Sequence, residues 1–395
     1  MLRSFRLDNH RSFRDEHELL LMPAYSKDRE ALPVAGIYGA NASGKSNLLD
    51  GLAFMQRAVR DSFSSWTPDA GVPRRRFALN GDGETSTFVV ELVLDGVRYT
   101  YGFEVDDDSV HEEWLYSYPE ARKRVLFERD EKGLRFGSTV DDRARLELLG
   151  GLLRPNALFL SLAAQSAVAH VLPVRGWFTH QLHFRLGVSA SAGEDPMAEF
   201  LSNQPSEHSR AVELVRAADF GITDLVVANV RRPDGELRPT LIVAHGGFGL
   251  FLGDESAGTR SWLGLLPTVL TTLRTGGTLV IDEIDASLHP LLAARLVALF
   301  HDGEVNQAGA QLIFTTHDAT LLHPPLGEEV LRRDEIWFVE KDRETGASTL
   351  YPLTDFKPRA EDNLERRYLA GRYGAVPELF QDRFAEAVRG DRGEA

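Results

Sequence analysis

Gly39-Ala40-Asn41-Ala42-Ser43-Gly44-Lys45-Ser46 is the stretch that decides the fold. It fits the pattern G-x-x-x-x-G-K-[ST], in which glycines let the backbone curl until its N–H groups point at phosphate oxygens. The apolar segment 32–38 before it predicts a buried strand. After it, Leu48, Leu49 and Leu52 share one face of a helix that we expect to run to about residue 64. Strand, loop and helix in this order predict a phosphate-binding loop (P-loop) at the helix N-terminus.

Side chains at the end of this loop predict more than a phosphate contact. Lys45 would reach the β- and γ-phosphates of a nucleotide, and the Ser46 hydroxyl would coordinate Mg²⁺. Asn47 follows directly in the first helical turn. We therefore predict that residues 39–47 bind the phosphates and that Ser46 is one metal ligand.

Composition indicates the class of protein. The chain has 395 residues, enough for two domains or for one domain with an insertion. It has no cysteine, which excludes disulfides and zinc–thiolate sites and fits a reducing compartment. The N-terminus lacks an apolar signal segment and no run of 18 apolar residues occurs, so we expect a cytoplasmic protein without a membrane span. The net charge of −15 does not favour indiscriminate binding to a nucleic-acid backbone.

Residue patterns divide the chain into four parts. Residues 1–64 and 250–355 are predicted to form one split α/β core. Residues 65–140 contain a strong hairpin, residues 87–103 with an Asp95-Gly96 turn, and are expected to form an added antiparallel β arm. Residues 141–249 are predicted to be an inserted lobe, mostly helical to about residue 220 and then strand-rich. Residues 356–395 remain as a C-terminal tail.

An acid pair at a strand end is the second chemical motif. Residues 278–283 predict a buried parallel strand that ends in Asp282 and Glu283. A carboxylate at a strand tip can hold Mg²⁺, directly or through water, and we assign Asp282 to this role. Glu283 is suited to orienting or deprotonating an attacking water. A strand ending in a polar turn is the structural alternative, which the P-loop in the same chain disfavours.

Two further segments end or begin at candidate phosphate contacts. Ser256 and Gly258 lie where an apolar helix would begin, so a hydroxyl and backbone N–H groups could form an anion site there. An ordinary capped helix is the alternative. Residues 311–318 predict a strand that delivers His317 to the carboxyl edge of the sheet, where ligands of open α/β sheets bind. A neutral histidine there could hydrogen-bond a γ-phosphate and sense its loss.

The order of these motifs resembles the ABC-class ATPases and, more narrowly, their SMC/RecF-like branch. Residues 9–13, Asn-His-Arg-Ser-Phe, are similar to the N-terminal Asn-Phe-Arg-Ser element of that branch, and residues 284–290 are similar to its D-loop. The chain also resembles the stand-alone AAA-type, SMC-like ATPases of bacterial abortive-infection and restriction-linked defence operons. That resemblance rests on four stretches: 39–46, 255–259, 285–290 and 367–377.

The resemblance implies a fold and a mechanism. The fold would be an α/β P-loop NTPase of ABC-ATPase type, with a mixed central sheet, an added antiparallel β subdomain and an inserted helical lobe. Two subunits would face head to tail around two ATP molecules with Mg²⁺, and higher oligomers stay open. The catalytic residues would be Glu283 and His317, acting with Ser256 and Gly258 of the other subunit. Asn41 and Arg11 would touch phosphates.

The implied function is an ATP-hydrolysing molecular switch that controls a separate effector protein in anti-phage defence. A RecF-like DNA-binding repair ATPase is the alternative, so nucleic acid stays open as a partner, and a transporter subunit is a third class. The long separation between Lys45 and Ser256 argues against the transporter. Residues 336–340 superficially resemble the start of a Toprim nuclease, but no Asp-x-Asp follows, so we predict a core strand. Gln165 is a candidate for the Q-loop glutamine.

Two departures from the family pattern affect these expectations. The signature segment lacks the leading Leu-Ser and the second glycine of transporter ATPases, and His289 stands where the D-loop aspartate is usual.

Overall fold

The computed structural model describes residues 1–25, 29–81, 83–141, 143–186, 195–218, 220–231, 235–323, 329–359 and 361–377. The last residues of the predicted tail, 378–395, lie outside the described residues. The strands are β1 Leu2–Asp8, β2 His17–Leu20, β3 Val34–Tyr38, β4 Ser86–Leu94, β5 Val97–Val105, β6 Val110–Tyr118, β7 Arg124–Asp130, β8 Gly133–Phe136, β9 Leu182–Arg185, β10 Asp224–Arg231, β11 Leu237–His245, β12 Phe248–Phe251, β13 Thr278–Ile281, β14 Gln311–Thr316, β15 Ile336–Lys341 and β16 Ser348–Pro352. The α-helices are α1 Lys45–Asp61, α2 Arg143–Gly150, α3 Phe159–Gln165, α4 Leu172–Gly176, α5 Pro196–Asn203, α6 His208–Ala217, α7 Ala257–Thr275, α8 Ile284–Ser287, α9 Pro290–His301 and α10 Leu364–Leu369.

A mixed sheet carries the predicted site residues at one edge. Its order is β16-β15-β3-β14-β13-β9, and its pairs are parallel except for the antiparallel pair of β16 with β15. β3 and β14 are buried along their whole length, as the near-continuous apolar runs of central parallel strands require. Because parallel strands end at the same edge, the P-loop after β3, the acid pair after β13 and His317 after β14 lie along one edge. The predicted mixed α/β sheet is confirmed.

A second, antiparallel sheet has the order β2-β1-β4-β5-β6-β7-β8. The predicted hairpin forms between β4 and β5, which pair from Ser86↔Val105 to Leu94↔Val97. Asp95 (φ 49°) and Gly96 (φ 74°) both adopt the left-handed backbone that a tight two-residue hairpin needs. One hydrophobic core joins this sheet to α1, because Leu49, Phe54 and Phe88 belong to the same buried cluster.

A three-stranded antiparallel sheet, β10-β11-β12, leads into α7. Leu225, Leu241 and Val243 are buried in the core that also holds Trp262 and Leu266 of α7. The side chain of Ser256 caps the start of α7, and Gly276, in the left-handed conformation (φ 73°), caps its end. The start of this long helix is therefore fixed by its cap and by the sheet that precedes it.

The structure differs from the sequence predictions in two elements. β9, at 182–185, lies within the stretch predicted to be mostly helical, yet it pairs in parallel with β13 and forms an edge of the core sheet. α1 ends at Asp61 rather than near residue 64. β15, the segment with a superficial Toprim likeness, pairs in parallel with β3 and is a core strand as predicted. No helix in the described part of the chain has the length and apolarity that a bilayer span demands.

Candidate functional site

The P-loop wraps tightly round the start of α1. Gly44 has φ 114°, a conformation that L side chains rarely adopt. A Cβ at this position would collide with the Ser348 hydroxyl and lie 2.7 Å from that of Ser12. The Lys45 side chain is buried, and its Nζ donates to the carbonyl oxygens of Gly39 (2.7 Å) and Ala40 (3.0 Å). The loop therefore encloses the ammonium group and needs glycine at position 44.

Two serines far apart in sequence brace the outside of the loop. The Ser348 hydroxyl donates to the Ser43 carbonyl (2.6 Å) and lies 2.7 Å from the Ser12 hydroxyl. The Ser12 hydroxyl accepts from the Asn47 amide (2.7 Å), and the Ser348 N–H donates to the Ser12 carbonyl (2.6 Å). The side chain of Asn47, which was expected to bind phosphate, is therefore part of this brace.

Arg11 lies beside α1, where it contacts a carboxylate. Its Nε donates to Asp50 Oδ2 (2.5 Å), and His10 Nε2 lies 3.1 Å from the same oxygen. Burial alone would raise the pKa of Asp50, but hydrogen bonds from His10 and Arg11 outweigh it and hold that pKa well below its usual range. In the described contacts Arg11 pairs with Asp50, and its expected phosphate contact stays a prediction.

The acid pair is held by a threonine on the neighbouring strand. Thr315 Oγ1 donates to Asp282 Oδ1 (2.6 Å) and accepts from the backbone N–H of Glu283 (2.7 Å). Glu283 has φ 53° and its side chain is exposed, whereas Asp282 is partly buried. Asp282 and the exposed hydroxyl of Ser46 are hard oxygen ligands of the kind that Mg²⁺ prefers.

His317 pairs with a carboxylate that was not among the predicted site residues. Its Nδ1 lies 2.9 Å from Asp285 Oδ2, and Thr316 Oγ1 donates to Asp285 Oδ1 (2.5 Å). The His317 side chain is 52% exposed, whereas that of Asp285 is 10% exposed. Asp285 lies just after β13, and His317 directly follows β14. The adjacency of these two parallel strands is the signal that could have predicted the pair.

Lys45 and the acids of the sheet edge interact electrostatically. Burial lowers the pKa of Lys45, and the negative charges of Glu283, Asp282 and Asp285 oppose that shift. The structure therefore brings together four of the motifs found in the sequence: the P-loop, the acid pair, the D-loop-like segment and His317. Glycine-rich loop, lysine, acid pair and histidine at one sheet edge form a site suited to binding and cleaving a nucleotide triphosphate.

The described side-chain contacts of Ser256 are local, and none joins Ser256 or Gly258 to this cluster. Ser256 Oγ accepts from the Thr259 N–H (3.1 Å) and lies 2.8 Å from the Thr259 hydroxyl. Both Ser256 and Gly258 are exposed, and a Cβ on Gly258 would meet nothing nearer than Ser256 Oγ at 4.0 Å. None of the described hydrogen bonds joins them to the P-loop. Gln165, the Q-loop candidate, is likewise exposed at the end of α3 with no described contact to the loop.

Side-chain contacts hold the segment around Ser256 and Gly258, the signature residues, in place. Glu255 is buried, and its Oε1 lies 2.7 Å from His245 Nε2 on β11. Arg260 Nη1 donates to the carbonyl oxygens of Gly253 (3.0 Å) and Glu255 (2.9 Å). The signature therefore has a defined conformation in the monomer although it faces outward.

The C-terminal segment lies against the rim of the P-loop. A cleft of about 1420 Å³ is bounded by Gly39–Ser43, His317, Tyr351, Tyr368 and 375–377. Tyr368 packs edge-on against Tyr38 of β3 and stacks on Phe338 of β15. Its hydroxyl donates to the Ala375 carbonyl (3.1 Å), which ties the described end of the chain to the nucleotide side of the sheet.

Comparison with known proteins identifies the family. A family model described as "AAA domain, putative AbiEii toxin, Type IV TA system" matches residues 34–323, and no curated protein sequence matches. The chain is similar to an SMC head bound to the C-terminal winged-helix domain of ScpA, at 15% identity, 90% coverage of this chain, 99% of the other and a TM-score of 0.46.

Two further SMC heads are similar to this chain at 12% identity and a TM-score of 0.43, each over 90% of this chain. One, from Pyrococcus furiosus, has an extended coiled coil, is bound to the C-terminal domain of ScpA and is covered over 97% of its length. The other, from Pyrococcus yayanosii, has a coiled coil and joint and is covered over 99%. The family match confirms the AAA-type resemblance, and its residues include the P-loop, the acid pair and His317. The chain belongs to this family of AAA domains with a putative AbiEii-type toxin assignment, and it is a P-loop ATPase.

Proposed function

We propose that this ATPase is a molecular switch that dimerises head to tail around two ATP molecules with Mg²⁺ and controls a separate effector in anti-phage defence. Lys45 and the N–H groups of the P-loop bind the phosphates. Glu283 orients and deprotonates the attacking water, and His317 contacts the γ-phosphate. Ser256 and Gly258 of the second subunit complete the site.

The position of the signature carries this proposal. α7 has 19 residues and is about 28 Å long, whereas the four-residue β13 that follows it spans about 13 Å. Arg185, which is the register partner of Ile281 at the end of β13, donates to the carbonyl of Gly264 in α7. The seven residues of α7 before Gly264 therefore continue beyond the strand ends. A capped, exposed helix N-terminus favours an anion. Because this anion site extends outward from its own sheet edge, the γ-phosphate that it fits belongs to a facing subunit.

The chemistry of the cluster fits ATP hydrolysis. Ser46 and Asp282 would hold Mg²⁺, which when bound neutralises developing charge on the phosphates. Thr315 separates the roles of the acid pair, because it contacts the Asp282 carboxylate while the Glu283 side chain is exposed. Glu283 is thus free to accept a proton from water, which general-base catalysis requires.

Nucleotide can act as the link between subunits. Each charge-assisted hydrogen bond to a phosphate contributes about 1.5–3 kcal/mol. Contacts from Ser256 and the helix start would exist only in the dimer, so ATP stabilises the dimer and loss of the γ-phosphate releases it. This cycle makes the dimer a readout of nucleotide state that an effector protein can recognise.

The defence role is supported by the family description, which names a putative AbiEii toxin of a type IV toxin–antitoxin system. The acidic balance of the chain, with 59 acidic and 44 basic residues, favours a protein partner over indiscriminate DNA contact. We propose that the effector is encoded beside this chain. Phage plating on cells that express this chain and its neighbouring genes should fall relative to empty cells, and the Lys45→Ala chain should restore plating. Equal plating in all three strains would exclude the defence role.

The dimer is tested with Glu283→Gln. This variant should bind ATP, lose about 10²–10⁴-fold of the wild-type turnover and elute as a stable dimer with ATP and Mg²⁺. Light scattering after gel filtration measures the mass, with ADP as the matched control, which should give monomer. A monomer in the presence of bound ATP would contradict the sandwich.

Sharing of the site between subunits is tested with Ser256→Arg. Alone, this variant should bind ATP normally and hydrolyse little, because a bulky cation blocks the facing phosphate site. Mixed with the Lys45→Ala chain, it should regain turnover, since one of the two sites then has an intact P-loop and an intact signature. Thr275→Arg places the same side chain at the exposed far end of α7 and should keep wild-type turnover. If the mixture stays inactive although heterodimers form, Ser256 does not act in trans.

A further inference from the structure

The His317–Asp285 pair determines which ring nitrogen can face the nucleotide. Asp285 Oδ2 lies 2.9 Å from His317 Nδ1, and its other oxygen is engaged by the Thr316 hydroxyl. A carboxylate accepts hydrogen bonds and has no hydrogen to donate, so Nδ1 must carry the proton. The half-exposed ring lines the cleft that the P-loop borders, and Nε2 is the nitrogen that Asp285 leaves available there.

This tautomer limits what a neutral His317 can do. With the proton on Nδ1, the neutral ring has only a lone pair at Nε2. The γ-phosphate oxygens of ATP are acceptors, so a lone pair facing them is repelled. His317 can donate to the phosphate only after Nε2 has gained a second proton. In this geometry the neutral ring considered in the sequence analysis would have no N–H left to donate to the phosphate.

We propose that ATP binding takes up a proton at His317 Nε2, and that Asp285 is the positioning residue that imposes this coupling. The step rests on the proposed contact between His317 and the γ-phosphate. The proton comes from solvent, and the imidazolium then donates from Nδ1 to Asp285 and from Nε2 to the phosphate. ADP lacks the γ-phosphate and should bind without this uptake.

The other charged residues that line the cleft with His317 are Glu340, Lys341, Asp342, Arg343 and Glu344, and the ADP control removes any contribution that they make with both nucleotides. Asp318 accepts from the Thr320 N–H (2.9 Å) and hydroxyl (2.8 Å). Lys45 serves the β-phosphate of ADP as well as ATP, so the ADP control removes its contribution. Glu340 and Lys341 are the last two residues of β15 and are exposed, and Glu340 Oε2 accepts from the Tyr351 hydroxyl (3.1 Å). Asp285 is the carboxylate at contact distance from the ring.

Titration calorimetry tests the coupling in the Glu283→Gln background, which keeps ATP intact. Binding heats at about pH 8, where free histidine is neutral, are compared in buffers of different ionisation enthalpy. The slope of the binding heat against the ionisation enthalpy of the buffer gives the number of protons that the protein takes up on binding. It should be positive for ATP and near zero for ADP. Adding Asp285→Ala should remove the slope while ATP still binds, because the freed ring can then donate from Nε2 in its neutral form. Asp318→Ala is the matched control and should keep the slope.

Two results would overturn the inference. One is ATP binding with no proton uptake in the Glu283→Gln protein. The other is a nitrogen NMR spectrum of nucleotide-free protein in which neutral His317 carries its proton on Nε2. We expect the spectrum to show the proton of the neutral ring on Nδ1. In the Asp285→Ala variant, the proton should be on Nε2. The NMR measurement needs no nucleotide, so it tests the role of Asp285 independently of ATP binding. A protein that does not bind ATP would instead refute the proposed function.

Discussion

The P-loop and the start of α7 both present helix N-termini, but they are held in opposite ways. The P-loop is enclosed: Lys45 is buried, and Ser348 and Ser12 fill the space beside Gly44. At the start of α7, Ser256 and Gly258 are exposed and the support lies beneath them. In the proposed head-to-tail dimer, each chain would therefore preorganise the phosphate-binding half of one site and present the other half to its partner.

Preorganisation matters because ordering a loop at the moment of binding reduces affinity. The brace around the P-loop orders the loop during folding, so the proposal predicts that a monomer binds nucleotide. No described hydrogen bond joins Ser256 or Gly258 to the P-loop, so in the proposed sandwich their contribution would depend on dimerisation and hence on protein concentration. Substitutions in the two regions should therefore differ in whether their effects disappear on dilution.

The largest effect is expected from Lys45→Ala. Removing charge-assisted contacts to two phosphates should weaken ATP binding by about 10²–10⁴-fold, at every protein concentration. Fluorescent-nucleotide titration measures this. Lys341→Ala, at an exposed position on the same cleft, should bind ATP as wild type does. Similar losses in both variants would show that the cleft attracts nucleotide by general charge instead of through the enclosed ammonium group.

The sequence predicted the elements that have local signals. A P-loop motif, an apolar run ending in two acids and an Asp-Gly hairpin each specify their conformation over a few residues. β9 was missed because it has only four residues, Leu-His-Phe-Arg, and gains its strand state by pairing with β13. Propensity is a weak guide for so short an edge strand.

The contact between the two serines that brace the P-loop had no signal in the sequence. Ser12 and Ser348 are 336 residues apart, and single serines in polar segments are common. Their meeting depends on where β16 pairs with β15 and where the N-terminal element crosses the loop. Asp285 is an intermediate case, because its place after β13 was predicted while its contact with His317 was not.

The second largest effect is expected at Asp50, the carboxylate on α1 that contacts Arg11 and His10. Asp50→Asn should lower the free energy of unfolding by about 1.5–3 kcal/mol at neutral pH, because it removes charge-assisted hydrogen bonds. The folded-state pKa of Asp50 is depressed, so its stabilisation is present above the unfolded value of about 3.9 and is lost as pH falls below it. Urea unfolding should show a constant difference from wild type at pH 7 and about pH 5 that shrinks below about pH 4.

Asp61→Asn, at the end of the same helix, is the control and should change stability by less than about 0.5 kcal/mol. A pH-independent difference for Asp50→Asn would mean that the charge of Asp50 is not the source of its stabilising effect.

The smallest effect separates the two regions most sharply. Ser348→Ala removes the donor to the Ser43 carbonyl and opens space beside Gly44, so ATP binding to dilute monomer should weaken by about fivefold, equivalent to about 1 kcal/mol. Ser256→Ala removes a hydroxyl of similar worth as a helix cap, about 1 kcal/mol, but should leave monomer affinity unchanged and lower turnover only where dimers form. Equal losses of monomer affinity would mean that α7 contributes to the phosphate site of its own chain. Because both changes delete one hydroxyl, a difference between them reports where the phosphate lies and is independent of the size of the substitution.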